Sequence, residues 1–193
     1  MRQPDTFELS VGRYARERLG AATKVVRYGD DYGERDMFLV SGADFPDYGV
    51  TSYATVGLSK IAQHVGEKQV HVEILGACAS DIDGFDNVIS SCVFESVRNK
   101  TNIVHGSHVV DIISQYSLSN TMKHIVFVSP FLFPEFEKIR IDEIDIYWLM
   151  AIPISDDELE FLVMHGVDAL EDEFERAQID IYDIQRASCV TQP

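Results

Sequence analysis

The sequence contains few cysteines and no long apolar run. Uninterrupted apolar stretches of about 18 residues, the length that spans a bilayer, do not occur. The first residues, MRQPDTFELS, lack the basic start and the apolar run of a signal peptide, so a cytoplasmic location without membrane contact is expected. The cysteines Cys78, Cys92 and Cys189 lie far apart without a CxxC pair, and we expect reduced, mostly buried thiols.

Motifs that would indicate catalysis are also missing. The chain has no GxxxxGK[ST] phosphate loop, GxGxxG fingerprint, GxSxG elbow or HExxH helix. His105 and His108 could bind a metal ion together with Asp111, as in a metal-assisted hydrolase. The alternative is that these histidines make ordinary hydrogen bonds in a loop. Histidine pairs at this spacing arise easily by chance, so we expect no enzyme, no cofactor and no metal.

Positive charge is scarce. Against 32 acids there are 16 bases, which gives a formal net charge of -16 and a pI near 4.6, so nucleic acid is not an expected direct ligand. The imbalance is uneven, because residues 1–134 carry a net charge of -4 and residues 135–193 carry -12. Two explanations stay open: a solvated surface that keeps the protein soluble, or a docking face for a basic partner.

The N-terminal third predicts a helix and then a hairpin. With 193 residues, 46% of them apolar, the chain can bury one sizeable core, and one domain over residues 1–193 is expected. Apolar residues recur at helical spacing from Phe7 to Leu19, and Gly20 follows at the usual position of a C-terminal cap. The β-rich segments KVVRY and DMFLV flank the turn-forming GDDYGER and predict a hairpin.

Two alternating segments predict further strands. VTSYATVGLS places five side chains on one face: Val50, Ser52, Ala54, Val56 and Leu58. QVHVEIL alternates in the same way, and both patterns predict a half-covered sheet. Gly57 is expected to permit a bulge or a close backbone approach near the end of its strand.

The remaining elements include a helix over residues 85–98, where apolar residues follow a 3.6-residue period. HIVFVSPFLF and DIYWLMAIPI predict buried central strands that end at prolines 130, 134 and 153. Ser155 and Glu158 form a predicted capping box, and Gly166 is expected to divide the following stretch into two helices. This order predicts an α+β fold with a mixed, mainly antiparallel sheet flanked by helices.

Four of these segments also carry a family resemblance. VTSYATVGLS, QVHVEILGACA, MKHIVFVSPFLF and WLMAIPISDDELEF, in this order and spacing, resemble the suppressor-of-fused domain family, and most closely its short bacterial branch. The resemblance runs from the first helix to QIDIYDIQR. It implies a SUFU-like fold that binds proteins and has no catalytic activity. Animal members are larger and restrain a transcription factor, a role that is not carried over because their additional C-terminal region does not fit in this chain.

The resemblance further implies what the partner is. Bacterial relatives are often immunity proteins, or antitoxins, that neutralise a secreted polymorphic toxin, commonly a nuclease. The expected partner is therefore the basic C-terminal toxin domain of a neighbouring gene product, and the alternative is a cytoplasmic adaptor with another protein partner. A basic nuclease cleft would attract an acidic inhibitor. The candidate partner-binding acids are Asp156, Asp157, Glu160, Glu171, Asp172, Glu173 and Glu175. Acids at helical spacing can equally form an ordinary exposed face.

Overall fold

The computed structural model describes residues 2–30 and 35–190, which form four helices and nine strands. The helices are α1 (Thr6–Arg18), α2 (Phe85–Asn99), α3 (Asp156–His165) and α4 (Val167–Ala177). The strands are β1 (Thr23–Gly29), β2 (Asp36–Ala43), β3 (Val50–Val56), β4 (Gln63–Val65), β5 (Lys68–Ala79), β6 (His108–Val109), β7 (Met122–Val128), β8 (Ile139–Ile141) and β9 (Ile144–Ser155). None of the described helices is long and apolar enough to cross a bilayer.

All nine strands join one sheet. Its main order is β1-β2-β3-β5-β9-β7-β6, with β4 paired to β5 and β8 paired to β9. The β5–β9 pair is parallel, with Ile74 opposite Leu149, and the other pairs are antiparallel. The predicted α+β fold with a mixed, mainly antiparallel sheet is therefore confirmed.

The N-terminal predictions are also confirmed. Asp5 caps α1 by accepting a hydrogen bond from the N–H of Glu8, and the helix ends before Gly20, whose φ is +86°. Strands β1 and β2 pair over their full predicted length, from Thr23 opposite Gly42 to Gly29 opposite Asp36. Residues 31–34 of the predicted turn lie outside the described part of the chain.

Helices cover both faces of the sheet, so the expectation of a half-covered sheet is wrong. Helices α1, α3 and α4 bury their apolar side chains in one cluster, which includes Val126 and Ile152 of the central strands. Helix α2 packs on the opposite face, in a second cluster with Ile74 and Phe127. The alternation in β3 was misleading because small polar side chains such as Ser52 and Thr55 are fully buried beneath the helices.

Two local expectations also need correction. Strand β3 ends at Val56, and Leu58 begins a short 3₁₀ turn that turns its side chain to the face covered by α2. Pro153 lies inside β9, opposite Ile125, rather than at its end. The strand tolerates this proline because its pairing with β5 stops at Met150, and the carbonyl of Pro153 points to the open side, where Arg186 donates to it.

Candidate partner-binding surface

Helix α3 begins directly where strand β9 ends. The hydroxyl of Ser155 accepts from the N–H of Glu158 at 3.2 Å, and the carboxylate of Glu158 accepts from the N–H of Ser155 at 3.1 Å. The predicted capping box is confirmed, and it fixes the first turn of α3 to the end of β9, a central strand of the sheet.

Gly166 separates α3 from α4, as the sequence predicts. Its backbone has φ +88° and ψ 169°, a conformation that a side chain would strongly disfavour. Both helices bury one apolar side against the sheet through Leu162, Leu170 and Phe174. The opposite sides of α3 and α4 therefore face outward, on two helices that contact each other.

This outer surface is strongly acidic. Residues 156–177 contain nine acids and a single base, Arg176, which gives a net charge of -8, half of that of the whole chain. Eight of the nine acids are exposed or only partly buried; the exception is Glu158. We call the outer side of α3 and α4, residues 156–177, the acidic surface.

Asp156 is the predicted acid that is most engaged within the chain. Its carboxylate contacts the ammonium of Lys123 and accepts from His124 Nε2 at 3.0 Å. His124 Nδ1 accepts from the N–H of Asp111, so the ring proton lies on Nε2. The hydrogen bond from Lys123, with that from His124, lowers the pKa of Asp156. Asp156 thus ties α3 to β7.

The other predicted acids differ in exposure. Asp168, Asp172 and Glu175 are exposed, and the side chain of Asp168 is 98% exposed. Asp172 and Glu175 follow Asp168 by four and seven residues, so the three side chains lie on one face of α4. Glu173 pairs with Arg176 one helical turn on. Glu160 is exposed and Asp157 is partly buried on α3. The structure thus places all seven predicted acids on two adjacent helices.

Glu171 lies beside His105 at the edge of the acidic surface. His105 Nε2 is 3.5 Å from Glu171 Oε2 and 3.9 Å from Asp168 Oδ1. Partial burial raises the pKa of Glu171, with help from neighbouring acids, and the charge of His105 opposes this shift. The loop that carries His105 packs closely on α4. A Cβ at Gly106 would lie only 3.0 Å from Val167 Cγ1.

The grouping of His105, His108 and Asp111 that a metal-assisted hydrolase would need is not found among the described residues. Within residues 2–30 and 35–190, one group of three potential metal ligands lies close together, and it consists of His105, Asp168 and Glu171. His105 lies on a turn that faces α4, whereas His108 lies in β6. Burial lowers the pKa of His108, and nearby His124 adds to this shift. The hydrolase hypothesis therefore loses its ligand set.

A buried ion pair under α3 was not predicted. Both carboxylate oxygens of Glu158 accept from Arg186, at 2.6 and 2.9 Å, and the N–H of Cys189 adds a third contact at 2.9 Å. Burial alone would raise the pKa of Glu158, but the hydrogen bonds and charge of Arg186 outweigh it and the pKa is lowered. This pair anchors the C-terminal segment beneath the acidic surface.

A second buried carboxylate, Glu73, organises the VGLS segment. Glu73 Oε1 accepts from the N–H of Gly57 and from the N–H and hydroxyl of Ser59, while Oε2 accepts from Thr55 Oγ1, at distances of 2.6 to 3.0 Å. Burial raises the pKa of Glu73, and these hydrogen bonds oppose the rise. Gly57 has φ +122°, but a Cβ there would lie 3.6 Å from Glu8 Oε1 and 3.8 Å from Met37, which are ordinary contact distances, so the expected close backbone approach is not found.

The thiols meet the expectation for reduced cysteines. Cys78 and Cys92 are buried, Cys189 is partly buried, and all three are free. Burial raises the pKa of Cys78 and of Cys189 to about 12, which leaves little reactive thiolate at neutral pH.

Comparisons with known proteins agree on one family. Residues 33–187 match the family model of the suppressor of fused protein (SUFU). The immunity protein YqcF of Bacillus subtilis strain 168 is 39% identical over 174 residues, which cover 89% of this chain and 91% of YqcF.

Solved structures show the same fold at low sequence identity. A SUFU homologue from Neisseria gonorrhoeae FA 1090 superposes with a TM-score of 0.69 at 20% identity, over 97% of this chain and 98% of that one. A structure of the Sufu–Fu complex superposes with a TM-score of 0.65 at 9% identity, over 90% of this chain and 86% of the matched chain.

Proposed function

This chain belongs to the suppressor-of-fused family, and from that premise we propose that it is a non-catalytic, cytoplasmic immunity protein that neutralises a toxin by direct binding. The toxin in this proposal is a basic protein domain, most simply a nuclease. The 39% identity to an immunity protein over nearly the full length of both chains supports the role.

The acidic surface is the observation that carries the proposal. Half of the net charge of the chain lies on 22 consecutive residues that form two adjacent helices. A surface with this charge density attracts a basic cleft over long range, increases the rate of encounter, and competes with the polyanion that the cleft would otherwise bind.

An adaptor with a different protein partner is the second candidate. The similarity to a SUFU domain solved in complex with another protein, Fu, favours this candidate as a use of the same fold. The two candidates differ in what the partner does: a toxin stops growth when it is produced alone, whereas the partner of an adaptor does not.

Capture of the partner separates these candidates. We expect the tagged chain, produced in its source cells, to retain a basic multidomain protein at 50 mM salt and less of it at 500 mM salt. The captured C-terminal domain should arrest growth when it is produced alone, and co-production of this chain should restore growth. A captured partner without toxicity would overturn the immunity role and leave the adaptor.

Charge reversal tests the surface itself. Replacing Asp168, Asp172 and Glu175 with lysine should slow association with the captured toxin domain by about tenfold or more at low salt, and the difference should shrink at high salt. Glu67, Asp81 and Asp83 are exposed acids outside the acidic surface, and their reversal to lysine changes the net charge equally. If both triple variants slow association equally, net charge rather than this surface governs binding.

A further inference from the structure

Two bulky apolar side chains are exposed within the acidic surface, between the acids of α3 and those of α4 in the sequence. Val163 is 68% exposed and Met164 is 63% exposed, near the C-terminal end of α3. The core contacts of this helix are made by other side chains, with Leu162 buried and Leu159 and Phe161 packed at the margin of the cluster. Val163 and Met164 are therefore not among the side chains that pack α3 onto the sheet.

Their surroundings are acidic on both sides. Glu160 precedes the pair by three and four residues and so lies next to it on the helix. Asp168 and Asp172 follow across the Gly166 break, where α3 and α4 are in contact. Residues 141–175 contain neither lysine nor arginine; Arg176 of the acidic surface pairs with Glu173, and Lys123 of β7 pairs with Asp156.

An apolar centre within a charged rim is the usual anatomy of a protein interface. A few side chains near the centre of an interface carry most of the binding energy, and their loss acts mainly on the dissociation rate, whereas rim charges act mainly on the association rate. A membrane does not suit this surface, because anionic headgroups repel a segment with a net charge of -8. A basic protein surface satisfies both the charge and the apolar requirement.

We propose that Val163 and Met164 are the anchor of the partner interface and that the partner presents an apolar pocket rimmed by lysine and arginine. The proposal rests on the proposed function, since it names how the same surface holds the toxin. It adds a division of roles, in which the acids of α4 govern association and the apolar pair governs dissociation.

Kinetics with the captured toxin domain test this division. The double variant Val163→Ala, Met164→Ala should raise the dissociation rate by about 10- to 100-fold and change the association rate less than about threefold. Alanine favours helix, so α3 should keep its fold, which circular dichroism and thermal unfolding would verify. The matched control is Val25→Ala, Val65→Ala, since these side chains are 51% and 52% exposed on β1 and β4. Equal dissociation rates for the two double variants would overturn the anchor.

Crosslinking in cells distinguishes failure of the anchor from failure of the immunity role. A photoreactive phenylalanine analogue at position 164 should crosslink to the same basic protein that the tagged chain captures, and the analogue at position 65 should not. A crosslink at 164 to a partner that is not toxic would refute the immunity role and keep the anchor. The absence of a crosslink at 164 would refute the anchor.

Discussion

At the scale of single residues, Glu73 connects β3, the VGLS turn and β5. Four donors from three residues converge on its carboxylate, and every one of them would be left without this acceptor in Glu73→Ala. We expect that variant to lose about 3–5 kcal/mol of unfolding free energy. Glu73→Gln keeps an oxygen for Gly57 and Ser59 and should lose only about 1–2 kcal/mol. Urea unfolding measures both; equal losses would contradict the acceptor role.

Replacement by alanine should have opposite effects on stability at two glycines, Gly42 and Gly12. A Cβ at Gly42 in β2 would lie 2.1 Å from the carbonyl oxygen of Leu19, where α1 crosses the strand, so Gly42→Ala should cost about 3 kcal/mol or more. A Cβ at Gly12 inside α1 would meet Val56 Cγ2 at an ordinary 3.9 Å, and Gly12→Ala should stabilise the helix by up to about 1 kcal/mol. Thermal unfolding of both variants checks the sign; stabilisation by Gly42→Ala would contradict the close approach.

The sequence does not distinguish such residues from their neighbours. Glu73 falls at a position of QVHVEIL that predicts a face opposite Val72 and Ile74, and this face assignment is right, but a glutamate there suggests solvent. Its burial depends on hydroxyls and N–H groups that come from 14 to 18 positions earlier in the chain. The alternation of apolar and polar residues predicts which face of the sheet a side chain lies on. Whether that face is exposed to solvent depends on the tertiary fold.

At the scale of elements, the Glu158–Arg186 pair joins helix α3 to the C-terminal segment. The side chains of Glu158 and Arg186 are 0% and 7% exposed, and Arg186 also donates to the carbonyl of Pro153. Arg186→Met would leave Glu158 buried without its counter-charge, and we expect a loss of about 3–5 kcal/mol at pH 7. Arg176→Met removes an arginine that is 72% exposed from its pair with Glu173 on α4, and should leave the unfolding free energy nearly unchanged.

The same pair predicts a pH dependence. Because the pKa of Glu158 is lowered in the folded chain, its contribution to stability is present above its ordinary pKa and is lost as the pH falls through the folded pKa. In Arg186→Met the remaining burial raises that pKa, so the variant gains stability relative to the wild type on acidification. Urea unfolding between about pH 7 and pH 4 should show the difference between the two proteins shrinking; a constant difference would exclude ionisation of Glu158 as its source.

Helices and their ends were predictable because their signals are local. The capping box at Ser155 and the break at Gly166 depend on residues within four positions of each other, and both appear as predicted. The position of Pro153 inside β9 was not predictable, since it depends on where β5 stops pairing and on an arginine 33 residues later. The grouping of His105 with α4 has the same long-range origin.

At the scale of the whole molecule, the N-terminal elements and the helices after β9 carry net charges of opposite sign. Residues 1–30, which supply α1 and the edge strand β1, carry six bases and four acids, a net charge of +2. Residues 156–177, with a net charge of -8, form the two helices that follow β9, and α3 contacts β7 and β9. Composition predicted the excess of acids in the last third, and the fold leaves eight of the nine acids of α3 and α4 exposed or partly buried.

The concentration of acids on α3 and α4 predicts how one charge reversal affects both the stability of the free protein and its binding to the partner. Crowded carboxylates repel one another, so reversing Asp168, Asp172 and Glu175 to lysine, which changes the net charge from -16 to -10, should raise the Tm of the free protein at low salt and reduce its dependence on salt. The Glu67, Asp81 and Asp83 reversals relieve less repulsion and should raise the Tm less. Scanning calorimetry at 10 and 200 mM salt provides the measurement.

The two explanations for the acids then separate. A surface selected only for solubility would lose nothing in partner binding when its stability improves, because its charges have no other task. On a docking surface, the basic partner neutralises the repulsion between carboxylates. The Asp168, Asp172 and Glu175 reversal should therefore make the free protein more stable and its association with the partner slower. An α4 variant that gains stability and binds the captured toxin domain at the wild-type rate would assign the acids to solubility, and would leave Val163 and Met164 to account for recognition.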